Sequence, residues 1–83
     1  MKIKYFAWLR ERLNRGEEDV SPPPEVATVA DLIQWLRSRD EAADLAMQKP
    51  SLIKAAVDAQ VVPHTASIAN ARVVALFPPM TGG

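Results

Sequence analysis

Cysteine is absent from the 83 residues, and histidine occurs once. The first absence removes disulfide stapling, thiolate metal ligation and any cysteine nucleophile. The single histidine, His64, lies between Pro63 and Thr65. It has no second ligand nearby in sequence, and one imidazole makes neither a metal site nor an acid–base pair. An excess of either charge is lacking too. Ten basic and ten acidic residues cancel, so the electrostatic footprint expected of a nucleic-acid binder is missing. No apolar run approaches the roughly 18 residues of a membrane span. The opening stretch MKIKYFAWLRERL is too charged for a signal peptide, and the cytoplasm is the expected compartment. Glycine is scarce: there are three, and two of them close the sequence.

What is present describes one soluble domain. The apolar fraction is 48% and the charged fraction 24%, ordinary values for a globular protein. A chain of this size buries only about 60–65% of its unfolded surface, so its stability is modest. In Lys2 to Ala7, Ile3 and Tyr5 alternate with Lys2, Lys4 and Phe6, and this period of two predicts a first strand. WLRERLNRG then takes helical spacing, with Gly16 in the position of a C-terminal stop. EEDVSPPPE predicts a weak strand centred on Val20, because three prolines exclude a central place in a sheet.

Thr28 opens the clearest helix. Asp31 stands where a capping-box partner belongs. Val29, Leu32, Ile33 and Leu36 fall at i, i+3, i+4 and i+7 and make one apolar stripe. Arg37 and Arg39 suit the negative end of the helix dipole. EAADLAMQKP predicts a second, shorter helix that stops before Pro50, and its Asp40, Glu41 and Asp44 read as a solvated helix start. LIKAAVDAQVV predicts two strands around a tight turn at Asp58-Ala59. Ala71 to Phe77 predicts the last strand, and no internal repeat is visible. One substantial helix against strands grouped at the two ends of the chain gives an α+β fold in two layers.

The last strand is apolar on both sides. Val73, Ala75 and Phe77 point one way, and Val74 and Leu76 the other. The first strand has a similar excess, with Phe6 and Trp8 on the side opposite Ile3 and Tyr5. A single main helix covers one face, so the second face is expected to be open and to mark a partner site. Trp35 lies off the helix stripe, at its border or on a contact surface.

The sequence FPPMTGG, Phe77 to Gly83, follows that strand. Pro78 and Pro79 favour an extended, stiff exit. Met80 and Thr81 lead to Gly82 and Gly83, whose missing side chains suit a narrow channel and an unhindered terminal carboxylate. This tail resembles that of the small subunit of molybdopterin synthase, whose family ends on Phe-Pro-Pro, a variable stretch, then Gly-Gly. FAWLRERL, ATVADLIQWLRSR, AAVDAQVVP and RVVALFPPMTGG are similar to other family segments, so the resemblance extends over most of the chain. Asn70-Ala71-Arg72 departs from the acidic, glycine-containing turn usual there, and Met80 stands where a β-branched residue is common.

The resemblance implies a ubiquitin-like β-grasp domain over residues 1–77 with an extended tail at 78–83. It implies that an ATP-dependent, E1-like activating enzyme adenylylates the Gly83 carboxylate, and that sulfur from a persulfide source converts it to a thiocarboxylate. The tail then enters the active site of the large subunit and donates sulfur to cyclic pyranopterin monophosphate in molybdenum cofactor biosynthesis. Gly83 carries the chemistry and Gly82 allows passage. Phe77, with Ala75 and Phe6, is the expected docking surface. The chain itself holds no cofactor or metal, contributes no self-contained active site, and joins a heterotetramer of two large and two small subunits. Two other classes stand beside this one: a Gly-Gly carrier for thiamine or tRNA thiolation or protein modification, and a ubiquitin-like interaction domain with an inert tail. The paired prolines favour the first class.

Overall fold

The structure is a computed structural model that describes residues 1–79. Its elements run β1 (Lys2–Tyr5), α1 (Ala7–Leu13), β2 (Glu17–Asp19), α2 (Val29–Arg39), α3 (Glu41–Ala46), β3 (Lys54–Val57), β4 (Gln60–Val62) and β5 (Val73–Phe77), with a 3-10 turn at Pro50–Leu52. The strands form one sheet in the order β2-β1-β5-β3-β4. The first and last strands meet at its centre, where β1 and β5 pair in parallel, Ile3 beside Val74 and Tyr5 beside Leu76. All other pairings are antiparallel. The expected two-layer α+β architecture is the one observed.

Local chemistry sets the element ends. Thr28 Oγ1 accepts from the Asp31 N–H at 3.2 Å, and Asp31 Oδ2 accepts from the Thr28 N–H at 3.2 Å. This is the reciprocal capping box expected from the sequence. Asp40 closes α2 and caps α3, accepting from the Ala42 N–H at 3.0 Å. The β3–β4 hairpin turns on Asp58 and Ala59, at φ 46° and 73°. Two successive left-handed residues match the twist of the strands, which is why two residues suffice.

Three expectations need correction. Strand β1 ends at Tyr5, and Ala7 at φ 55° turns the chain at once into α1. Trp8 therefore does not continue the open side of the strand but packs half-buried against the core, with the Arg12 guanidinium 4.7 Å from its ring centre. Helix α1 stops at Asn14, φ 56°, whose N–H reaches back to the Arg10 and Glu11 carbonyls. Asn tolerates this left-handed stop, so Gly16 is not the cap; its carbonyl instead accepts from the Tyr5 N–H at 2.9 Å. Strand β2 lies at Glu17–Asp19, ahead of its expected centre. Pairing with β1 sets this register, while Val20 follows as a buried anchor whose N–H donates to the Met1 carbonyl at 2.8 Å.

The core lies between the sheet and the helices. Ile3, Tyr5, Ala55, Val74 and Leu76 from the strands meet Leu9, Leu13, Val29, Leu32, Ile33, Leu36, Ala43 and Met47 from the helical layer. All four residues of the predicted α2 stripe are buried.

Candidate functional site

The alternation of β5 separates two environments. Val74 and Leu76 are buried, while Val73, Ala75 and Phe77 on the other side remain partly exposed. Register extends this second side across the sheet. Glu17 faces Lys4, Lys4 faces Ala75, Ala75 faces Ala56, and Ala56 faces Val61. No described element covers that row, and Val61 is 75% exposed. Phe6 belongs to it as well: its N–H donates to the Leu76 carbonyl at 3.1 Å, which sets it beside Phe77, and it is 46% exposed. Ala75, Phe77 and Phe6, three separate sequence expectations, thus share one open apolar face.

A cavity of about 390 Å³ lies on this face, lined by Lys4, Ala56, Asp58, Arg72, Val73 and Ala75 among others. Asp58 Oδ1 accepts from the N–H groups of Arg72 and Val73 at 3.0 Å each. The hairpin turn is thereby tied to the start of β5, and the carboxylate is held by backbone donors. Sequence reasoning missed Lys4 and Arg72 as site residues. Alternation along β1 already put Lys4 on the open side. Arg72 needed the Asp58 link, which local pattern does not reveal.

At its far end β5 passes from Phe77 into Pro78, which is buried, and Pro79, which is half-buried. The face and the Pro-Pro segment are consecutive in the chain. The expected roles of Met80, Thr81, Gly82 and Gly83 lie outside the described residues.

The remaining candidates are structural. His64 has Nε2 2.6 Å from the Ile53 carbonyl, and its own carbonyl accepts from the Ala30 N–H at 2.9 Å, which joins the loop to β3 and α2. Trp35 is half-buried at the edge of the core under the Arg39 guanidinium, 4.7 Å from the ring centre. The acidic cluster is more than a solvated helix start, since Asp40 pairs with Arg15 and Asp44 with Arg37 at 2.9 Å. Arg15 also bonds Glu18 at 3.0 Å, and Glu18 accepts from the Tyr5 hydroxyl at 2.7 Å. Burial, followed by that hydrogen bond, pushes the Tyr5 hydroxyl well above its ordinary pKa. The Arg15 hydrogen bond holds the Asp40 carboxyl below its usual range. No described helix is long and apolar enough to cross a membrane.

A mixed five-stranded sheet of this order, with helices packed on one face, defines the ubiquitin-like β-grasp class. SAMP1 from Haloferax volcanii has this arrangement, with a TM-score of 0.73 at 25% identity over 100% of this chain and 98% of that one. A Pyrococcus furiosus protein provisionally named molybdopterin converting factor, subunit 1, gives 0.69 at 28% identity over 94% of both chains. Among curated proteins there is no significant sequence match. The chain belongs to the ThiS family, whose model matches residues 3–83, and its fold is that of a ubiquitin-like sulfur carrier.

Proposed function

We propose that this protein is the sulfur-carrying small subunit of a molybdopterin synthase. The observation that carries the reading is continuity. An uncovered apolar strand face leads directly through Phe77, Pro78 and Pro79 toward Gly82-Gly83, in a chain of the ThiS family. The open face docks on a partner, the prolines aim the tail, and the Gly83 carboxylate is the functional group.

In the activating enzyme, a Gly83 carboxylate oxygen attacks the α-phosphorus of ATP and pyrophosphate leaves. A persulfide sulfur displaces AMP from the acyl carbon, and a thiol cleaves the acyl disulfide to leave the thiocarboxylate. On the large subunit this sulfur attacks a side-chain carbon of cyclic pyranopterin monophosphate, where the new carbon–sulfur bond replaces a carbon–oxygen bond and the oxygen departs as water or with the phosphate. Hydrolysis of the resulting thioester returns the carboxylate and leaves sulfur on the pterin, and two such deliveries build the dithiolene. The carrier contributes no acid, base or metal to these steps. Its residues position the tail.

The equally extensive likeness to SAMP1 supports a second reading, a carrier of the same fold that serves another thiolation pathway or modifies proteins. Phe77-Pro78-Pro79 favours the first. The test is mass spectrometry of the intact protein after incubation with ATP, the activating enzyme and a sulfur source. The expected gain is the mass difference between sulfur and oxygen at Gly83. Deleting Gly83 is expected to leave the thermal melt unchanged and to abolish both this gain and molybdopterin formation in a reconstituted assay. Full activity of the deletion variant overturns the carrier reading. Thiolation without molybdopterin formation favours the second pathway.

A further inference from the structure

The open face is not uniformly apolar, and its charges differ in what holds them. Lys2 pairs with Glu17 at 3.0 Å. Asp58 directs its carboxylate into the β5 backbone. Lys4 and Arg72 line the same cavity over the Ala56, Val73 and Ala75 floor, and among the described residues neither has an ion-pair partner. Glu17, opposite Lys4 in register, is committed to Lys2 and feels Lys4 only through space. Asp58 is committed to backbone N–H groups, so among the described residues no carboxylate is paired with either cation above the apolar floor.

Resting on the carrier reading, we propose that this cavity receives a carboxylate side chain of the partner protein, held between Lys4 and Arg72. The partner surface that fits is an apolar patch carrying an Asp or Glu at its border. The apolar floor supplies contact area, and the two cations fix register and raise the association rate. The cavity's position fits this role. It lies at the Asp58–Val73 end of β5, whereas the tail leaves from the Phe77 end. A carboxylate bound there anchors the far end of the interface and fixes the direction in which the tail points. Arg72 is the stronger determinant of the two, because its planar guanidinium binds a carboxylate through two parallel hydrogen bonds.

The test measures association of the full chain with the large subunit by calorimetry, at low and high sodium chloride. The variants are Lys4→Glu, Arg72→Glu and, on the helical layer, Lys49→Glu. Both side chains on the open face are solvent-accessible, and thermal melts check that the variants fold. Arg72→Gln replaces the charge reversal if that variant melts early. Lys4→Glu and Arg72→Glu are expected to weaken binding by about tenfold or more, and Arg72→Gln by severalfold. Raising salt is expected to weaken the wild type and to affect Arg72→Glu far less. Lys49→Glu should bind as the wild type does. Reversal of one partner carboxylate to Lys should restore binding to Arg72→Glu. Wild-type binding with unaltered affinity in both reversals, or with no salt dependence, overturns this inference and leaves the carrier reading standing. Failure of the wild type itself to bind overturns the docking role of the open face, and this inference with it.

Discussion

Val73 and Val74 are the same residue type, adjacent in one strand, yet Val74 is fully buried and Val73 is not. The difference lies in what stands above each face of the sheet. The three helices all lie on the Val74 side. The α2 stripe requires cover on that side, α3 packs beside α2, and α1 packs against α3 rather than crossing over. One face becomes core and the other becomes surface, although neither is polar enough to prefer water. In a chain this small the supply of helix decides which apolar side chains are buried in the core and which stay uncovered.

Neighbouring positions of β5 separate the two faces most sharply. Leu76→Ala removes a fully buried side chain from the core and is expected to cost roughly 2–5 kcal/mol. That is a severe loss for a domain whose net stability is on the order of 5–10 kcal/mol. Ala75→Asp sits one residue away on the open side and is expected to change stability by less than about 1 kcal/mol, while on the proposed function it sharply weakens association with the large subunit. Urea unfolding and a binding titration on both variants check the pair. Equal destabilisation would mean that the open face is covered in solution.

A smaller effect separates the polar groups bordering the two faces. On the helical side, Arg15 joins Glu18 to Asp40 and so ties the β1–β2 corner to the start of α3. On the open side the ion pair is Lys2 with Glu17, which is exposed. The native Asp40 carboxyl has a lowered pKa, chiefly through the Arg15 hydrogen bond. Its stabilising contribution is therefore present above the unfolded value of about 4 and lost as pH falls through the native value. Since both partners are partly solvent-exposed, the contribution is at most about 1 kcal/mol. Asp40→Asn keeps a side chain that caps α3 but removes the charge. Urea midpoints at pH 6 and pH 3 are expected to differ less in this variant than in the wild type. An identical pH dependence would remove Asp40 from the acid response.

How far the sequence revealed this arrangement depended on the range of the deciding interaction. Helix α2 was legible because its cap, stripe and basic end all lie within one continuous stretch, Thr28 to Arg39. The alternation of β5 was legible for the same reason, and it carried Ala75 and Phe77 to the open face. Phe6 was placed correctly, but Trp8 was not, because a left-handed Ala7 has no local signature. Strand β2 was misplaced because cross-strand register with β1 decides it, whereas the local pattern pointed to Val20. Arg72 stood out only as a departure from a familiar turn. Its place in the cavity depends on Asp58, 14 residues earlier, a contact that no window of the sequence contains.

The turn before β4 carries a strained residue, Ala59, whose methyl also lines the cavity on the open side. Ala59 lies at φ 73°, where its Cβ crowds the following carbonyl at a cost of about 1–2 kcal/mol for an L-residue. Glycine avoids this cost but loses more freedom on folding, an offset of roughly 0.4–1 kcal/mol. Ala59→Gly is therefore expected to gain about 0.5 kcal/mol, which raises the melting temperature by about 2–4 °C in a domain of this size. Asp58 still holds the Arg72 and Val73 N–H groups, so the variant removes only the Ala59 methyl from the cavity lining, and the positions of Arg72, Val73 and Ala75 are expected to persist, with affinity for the proposed large subunit. Calorimetric melts and the same binding titration measure both quantities. A lower melting temperature would show that the left-handed turn carries no strain at Ala59. A gain in stability with a loss of affinity would show that the Ala59 methyl contributes to the docking surface.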